Sequence, residues 1–142
     1  MIELISYQGL NGLKFGDSIE RANQLFGAPL TERKSKGGEI VQHRKGFILR
    51  FSSPDKAFSE GVVPCGENVM LDRTLIDWSS EGLSLLCRED GNSLEYFGSV
   101  VLFSKGVALS GLENDMESER AIAVFANGVW DSLKNQMNIY QT

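Results

Sequence analysis

The sequence has one histidine, two cysteines and three prolines among 142 residues, and its apolar runs are short. His43 stands alone, and Cys65 and Cys87 are far apart without CxxC spacing, so we expect neither a metal site nor a bound cofactor. The longest apolar runs fall well short of the roughly 20 residues that cross a bilayer as a helix. We therefore do not expect a membrane protein.

The first five residues, Met1 to Ile5, carry no basic segment ahead of an apolar stretch and no small-residue cleavage site. This pattern predicts that no secretion signal is present. Two separated cysteines in such a chain are usually reduced. We therefore expect a cytoplasmic protein with free thiols.

The composition is that of an ordinary globular protein, with 42% hydrophobic residues, 23% charged residues and 15 glycines. A chain of this length predicts a single domain covering residues 1–142. The net charge of −5 disfavours nucleic acid and anionic membranes, because both attract a basic surface. A basic protein is the better matched partner.

The best-marked helix lies in the stretch LKFGDSIERANQLFGAP, residues 13–29. Asp17 and Glu20 have capping-box spacing, and Gly27 and Pro29 favour a helix end. The glycines ahead of this helix suggest a phosphate loop, but Asp17 would place a carboxylate where the anion binds. We therefore predict a structural helix of about two turns.

The middle of the chain predicts antiparallel strands. Residues 39–44 and 47–52 form a hairpin pattern, and residues 53–75 indicate a long connection. Leu83, Leu85 and Cys87 alternate before a turn at residues 90–92. The apolar run 94–103 is interrupted by Gly98, which suggests a bulge.

The C-terminal part, from about residue 115 or 116 to 137, predicts the longest helix. Its apolar stripe comprises Ile122, Phe125, Ala126, Val129, Trp130, Leu133 and Met137. The expected fold class is therefore α+β, with an antiparallel meander, a short N-terminal helix and a long C-terminal helix packed on one face.

Catalysis by a nucleophile has few candidates in this sequence. His43 is the only histidine, so it must act with Cys65, Cys87 or a serine. Cys87 is more simply explained as a core residue, and His43 as a polar strand residue. A small-ligand site or a hydrolytic site built from Cys65 and His43 stays as an alternative hypothesis.

Charged clusters give the candidate binding residues. The stretch LENDMESE contains Glu113, Asp115 and Glu117, which either complement a helix dipole or steer a basic partner. Trp78, beside the long connection, is a candidate contact aromatic. A basic segment is typical of protected sheet edges and is also able to bind an acidic group; it comprises Arg33, Lys34, Lys36, Arg44 and Lys45.

The segment GLNGLKFGDSIERANQLFGAP resembles the opening of small bacterial proteins related in fold to the β-lactamase inhibitor protein and to the small lipoprotein of the β-barrel assembly machinery. The matching positions are Gly16, Ser18, Phe26, Gly27 and Pro29. Later segments, GFILRF and GLSLLCREDGNSLEYF, resemble bacterial toxin-immunity proteins. The resemblance implies a small α+β fold that acts by binding another protein.

These observations favour a non-enzymatic cytoplasmic binding module, in the specific form of an immunity protein that neutralises a toxin by direct contact. Trp78, Glu113, Asp115 and Glu117 are its predicted contact residues. The alternatives are the Cys65/His43 enzyme or ligand-binding protein and a structural subunit of an assembly. The oligomeric state stays open.

Overall fold

The structure, a computed structural model, describes residues 1–113 and 116–140. Within these residues it contains two β-sheets, two α-helices and two short 3-10 turns. The helices are α1 (Ile19–Phe26) and α2 (Ser80–Asp90), and the 3-10 turns are Glu117–Glu119 and Asp131–Gln136.

The strands follow one another along almost the whole chain. They are β1 (Ile2–Ile5), β2 (Gly9–Leu10), β3 (Leu13–Lys14), β4 (Thr31–Lys34), β5 (Ile40–Arg44), β6 (Phe47–Phe51), β7 (Phe58–Pro64), β8 (Val69–Leu71), β9 (Thr74–Leu75), β10 (Leu94–Tyr96), β11 (Ser99–Leu102), β12 (Val107–Ser110), β13 (Ala121–Phe125) and β14 (Asn138–Ile139).

The large sheet has the order β14-β10-β11-β12-β13-β7-β6-β5-β4 among the described residues, and its neighbours pair antiparallel. The small sheet has the order β3-β2-β1-β8-β9, with β1 and β8 parallel. One buried core joins the small sheet and both helices to the inner face of the large sheet. Its fully buried members include Leu4, Leu49, Leu83, Leu109 and Ile122.

The expected helix at residues 19–26 is confirmed, but its cap differs from the prediction. Ser18, not Asp17, is the N-cap, and its Oγ accepts a hydrogen bond from the Arg21 amide at 3.1 Å. Asp17 instead accepts the Lys14 amide at 2.8 Å. Gly27 ends the helix with a φ of 77°, where a side chain would be strained.

The predicted strand containing Leu83, Leu85 and Cys87 is wrong, because this segment is α2. Leu83 and Cys87 are four residues apart and both face the core, which is helical spacing as well as strand alternation. Ser79 caps the start of the helix, and Gly91 in the left-handed region ends it. These end signals, and not the short apolar pattern, distinguish the two structures.

The predicted long C-terminal helix is also wrong, and with it the expected fold layout. Residues 121–125 form a central strand, β13, in which Ile122 and Val124 face the main core. The chain then turns at Gly128, with a φ of 94°. Trp130 and Met137 lie at either end of the 3-10 segment Asp131–Gln136. Both side chains pack on the outer face of the large sheet, against Val101, Ala108 and Phe125, which explains their apolar spacing without a long helix.

The predicted long connection at residues 53–75 is mostly paired strand. β7, β8 and β9 lie within it, and β7 is a central strand of the large sheet. Gly61 in β7 sits where an added Cβ would come within 2.9 Å of the Leu10 side chain. Gly61 therefore permits the close approach of the small sheet. The same glycine weakens the strand pattern in the sequence, because it has no side chain to mark a buried position.

The basic segment divides between the sheet edge and the interior. Arg33 and Lys34 lie on the exposed edge strand β4. Arg44 is buried and donates hydrogen bonds to the Gly27 carbonyl at 2.8 Å and to Asn23 Oδ1 at 2.7 Å. Arg44 therefore holds α1 on the sheet and is occupied within the chain.

Candidate functional site

The tip of the β10–β11 hairpin carries the most exposed large hydrophobic side chain among the described residues. Tyr96 pairs with Ser99, which leaves Phe97 and Gly98 as a two-residue turn. Their φ angles are 46° and 82°, the left-handed pair of a type I′ turn. Phe97 is 91% exposed, so a bulky side chain occupies an unfavourable backbone region and is left in water.

Acidic side chains come to the same end of the large sheet as this turn. Ser99 pairs with Ser110, so the connection after β12 lies beside the hairpin tip. An added Cβ on Gly98 would lie 3.1 Å from Glu113 Oε1. Glu113 therefore stands next to the Phe97 turn, and Met116 and Glu117 follow it as exposed residues.

We define the hairpin-tip surface as Glu95, Phe97 and Glu113, which meet at the turn, together with the exposed Met116 and Glu117, which follow Glu113 in the sequence. A shallow groove within it is formed by Glu95, Phe97, Gly98, Val100, Leu112, Glu113 and Tyr140. Burial raises the pKa of Tyr140, and the nearby Cys87, Glu95 and Glu113 raise it further. The two glutamates therefore create a negative field inside the groove.

The chain segment that carries most of this surface is acidic. Between Asp90 and Arg120 the sequence has five acidic residues and a single basic one, Lys105. Lys105 lies in the turn between β11 and β12, at the other end of those strands. A negative surface of this kind attracts a basic partner and accelerates its association.

The predicted contact residues have different surroundings. Glu113 and Glu117 are exposed at the hairpin-tip surface. Trp78 is half-buried against the main core, and its indole N–H donates to the Glu67 carbonyl at 3.1 Å. Asp115 lies outside the described residues. The structure places Glu113 beside the Phe97 turn and uses Trp78 for packing, while the partner contacts of all four residues stay a prediction.

Phe97 was missed by the sequence interpretation, which treated Gly98 as a bulge inside one apolar run. The available signal was the pair Phe97-Gly98 between two short strand patterns, LEY and SVVL. A two-residue hairpin with glycine at its second position is a known turn pattern. The pattern is hard to recognise here because Phe97 occupies the first turn position, where asparagine or aspartate is usual.

Cys65 and His43 are not neighbours. His43 pairs with Ile48 and Ile48 with Val62, and Cys65 lies three residues beyond Val62. Two strand spacings and three residues along a strand separate them by about 14 Å, and the odd count directs them to opposite faces. The sheet therefore does not assemble this pair for proton transfer, which needs hydrogen-bond reach or one bridging water.

Residues 1–113 and 116–140 contain neither a metal-binding cluster of side chains nor a membrane-spanning helix. No group of three or more histidine, cysteine, aspartate or glutamate side chains is placed to hold a metal ion. In the same part of the chain, no helix is both long enough and apolar enough to cross a membrane.

No family model, curated protein or solved structure matches the chain.

Proposed function

We propose that this chain is a non-enzymatic binding protein whose hairpin-tip surface docks on a basic surface of another protein. The observation that carries the proposal is Phe97, 91% exposed at a left-handed turn position and adjacent to Glu113. In the free chain the Phe97 ring contacts Tyr96 edge to face, with ring centroids 4.6 Å apart, but most of its surface stays in water. Burial of that surface against a partner is favourable.

The expected energetics divide between the aromatic side chain and the carboxylates. Burying a phenylalanine side chain contributes about 2 kcal/mol, and aromatic anchors commonly dominate small interfaces. Glu95, Glu113 and Glu117 at the rim act mainly on the association rate and its salt dependence. Phe97 is therefore the affinity residue, and the glutamates are the steering residues.

The more specific form of the proposal is that the partner is a toxin, which this chain neutralises by covering part of its surface. The support for this form is the resemblance of the segments GFILRF and GLSLLCREDGNSLEYF to bacterial toxin-immunity proteins, beside the resemblance of residues 9–29 to small proteins that act by binding another protein. A toxin gene immediately beside the gene for this chain would make its product the first partner to test.

The first experiment identifies what contacts Phe97 in cells. Phe97 is replaced by the photo-cross-linking residue p-benzoylphenylalanine, and Leu30, 72% exposed between α1 and β4, is replaced in the same way as a matched control. We expect a specific cross-link from position 97 to a basic protein and none to that protein from position 30. Equal cross-linking from both positions would contradict a specific surface.

The second experiment takes the partner that the cross-link identifies, purifies it without the cross-link, and measures its affinity for the full chain. Phe97→Ser is expected to weaken binding at least tenfold, mainly through faster dissociation. Glu113→Gln with Glu117→Gln is expected to slow association about three- to tenfold at low salt and to flatten its salt dependence. Unchanged affinity of Phe97→Ser would overturn the proposal.

A further inference from the structure

A second surface, separate from the hairpin tip, is the groove between α2 and the β8–β9 hairpin. One face of α2 lines it with residues at helical spacing: Gly82, Leu85, Leu86 and Glu89. Leu71, Thr74, Leu75 and Ile76 line the other side. The groove has a volume of about 210 Å³.

Strand β9 presents an open backbone edge along this groove. Among the described residues it is the last strand of the small sheet. The Ile76 amide donates to the Val69 carbonyl at 2.8 Å, and Leu75 pairs with Met70. Because hydrogen-bonded pairs alternate in an antiparallel ladder, the N–H and C=O of Leu75 point away from β8. They are placed to pair with one more strand.

Two leucine side chains are left in water on either side of the groove. Leu75 is 59% exposed and Leu85 is 51% exposed. Leu85 belongs to a second apolar face of α2, since the first face, with Leu83 and Cys87, is already buried in the core. An apolar side chain inserted between Leu75 and Leu85 would therefore bury both.

The charge at the rim of the groove selects the occupant. Asp72, Asp77, Glu89 and Lys105 line it; Lys105 pairs with Glu89 at 3.5 Å, and Asp72 accepts hydrogen bonds from the amide and hydroxyl of Ser6, so three carboxylates face one ammonium. The amide and hydroxyl of Ser79 lower the pKa of the exposed Asp77, which keeps that carboxylate ionised. Arg73, in the β8–β9 turn, lines a different hollow with Glu3 and Gln8. A basic occupant is complementary to this rim, whereas a second copy of the chain would bring like charges together.

We propose that this groove binds an extended, basic segment of a partner protein, which adds as a strand to the open edge of β9. An apolar side chain of the segment packs between Leu75 and Leu85, and a lysine or arginine beside it pairs with Asp77. Strand addition of this kind takes its affinity from backbone hydrogen bonds and its specificity from alternate side chains. The proposal does not depend on the hairpin-tip surface.

The test selects ligands from a displayed library of random 12-residue peptides on the full chain, with removal of peptides that also bind Leu85→Glu. We expect the enriched sequences to alternate apolar residues with lysine or arginine. Synthetic copies should shift the amide NMR signals of Thr74, Leu75 and Leu85. They should bind Leu85→Glu at least tenfold more weakly and bind the matched control Leu30→Glu, at a 72% exposed leucine outside the groove, with unchanged affinity.

Backbone pairing is checked with peptides N-methylated at alternate residues, which lack the donors that an added strand needs. One of the two methylation patterns should abolish binding, and the other should leave most of it. The proposal is overturned if no sequence is enriched over Leu85→Glu, if the enriched sequences are acidic, or if both methylation patterns bind as well as the parent. An unaltered spectrum of Leu85→Glu away from the groove establishes that this variant is folded.

Discussion

Helix α1 and helix α2 both lie on the inner face of the large sheet, and each begins at a serine and ends at a glycine. A buried arginine holds each of them, Arg44 for α1 and Arg120 for α2. The arginines approach opposite ends. Arg44 binds the C-terminal end of α1 at the Gly27 carbonyl, and Arg120 donates to the Trp78 carbonyl, just before α2.

The helix dipole makes these two anchors unequal. A cation at the C-terminal end of a helix is stabilised by the dipole, and a cation at the N-terminal end is not. Arg44 also donates to Gln42 Oε1, at 3.1 Å from Nε and 2.9 Å from Nη2. Arg120 contacts Ser80 Oγ at 2.7 Å. From the dipole we therefore expect α1 to depend on its arginine more than α2 does.

The largest expected effect comes from Arg44→Met. This change leaves the Gly27 carbonyl, Asn23 and Gln42 without their shared donor, so we expect a loss of about 3 kcal/mol in the free energy of unfolding. Urea denaturation measures it, and hydrogen exchange should show the α1 amides exchanging first. Arg33→Met on the exposed edge strand is the matched control, with an expected change below about 0.5 kcal/mol. If Arg44→Met lowers the free energy of unfolding no more than Arg33→Met does, Arg44 does not anchor α1.

Arg120→Met is expected to cost less, about 2 kcal/mol, because the dipole opposes the native cation at that end of α2. The same urea titration gives the comparison. Hydrogen exchange should accelerate in the first turn of α2 and leave α1 unchanged. If Arg120→Met costs more than Arg44→Met, the dipole argument fails and other contacts of Arg120 dominate.

The same pair of helices shows how much of the fold the sequence could predict. The sequence predicts α1 because Asp17 and Glu20 have capping-box spacing ahead of its short apolar pattern, and Gly27 and Pro29 favour a helix end after it. α2 has equivalent ends at Ser79 and Gly91, but Leu83, Leu85 and Cys87 also fit strand alternation. Over a segment this short the two periods predict the same apolar positions, so only the end signals decide.

The rest of the fold depended on contacts between distant segments. Residues 121–125 form a central strand because β7 and β12 pair with them on either side. The local sequence pattern does not predict these pairings, because both partners are distant in the chain. The acidic cluster with Glu113 and Glu117 is visible in the sequence as charge, and its contact role stays a prediction. Phe97 was not predicted, because the pairing of β10 with β11 is what exposes it.

Cys87 lies on the buried face of α2, so the ionisation of its thiol makes the stability of the protein depend on pH through α2 and not through α1. Burial, reinforced by Asp90, raises the pKa of its thiol to about 11. The unfolded chain releases this proton from about pH 9 upward and the folded chain keeps it. Stability should therefore fall by about 1 kcal/mol per pH unit between pH 9 and about 11.

Denaturant titrations of the wild type and Cys87→Ala across that range measure the effect. The alanine variant should have the shallower dependence on pH, and the matched variant Cys65→Ala should keep the wild-type slope. Reaction with Ellman's reagent at pH 8 should modify the half-exposed Cys65 quickly and Cys87 only on unfolding. Equal slopes for the two variants would show that Cys87 is not the group responsible.

The smallest difference concerns the two N-caps. Ser18 Oγ accepts the Arg21 amide at 3.1 Å, and Ser79 Oγ accepts the Gly82 amide at the same distance. Arg120 holds the first turn of α2 through Ser80, whereas the anchor of α1 is at its other end. We therefore expect Ser18→Ala to cost about 1 kcal/mol and Ser79→Ala about half of that, with Ser→Thr at each site as the control that keeps the hydroxyl. Combining each cap variant with Arg120→Met tests whether Arg120 is what makes the α2 cap less important. In that background the cost of Ser79→Ala should rise to that of Ser18→Ala, and the cost of Ser18→Ala should stay the same.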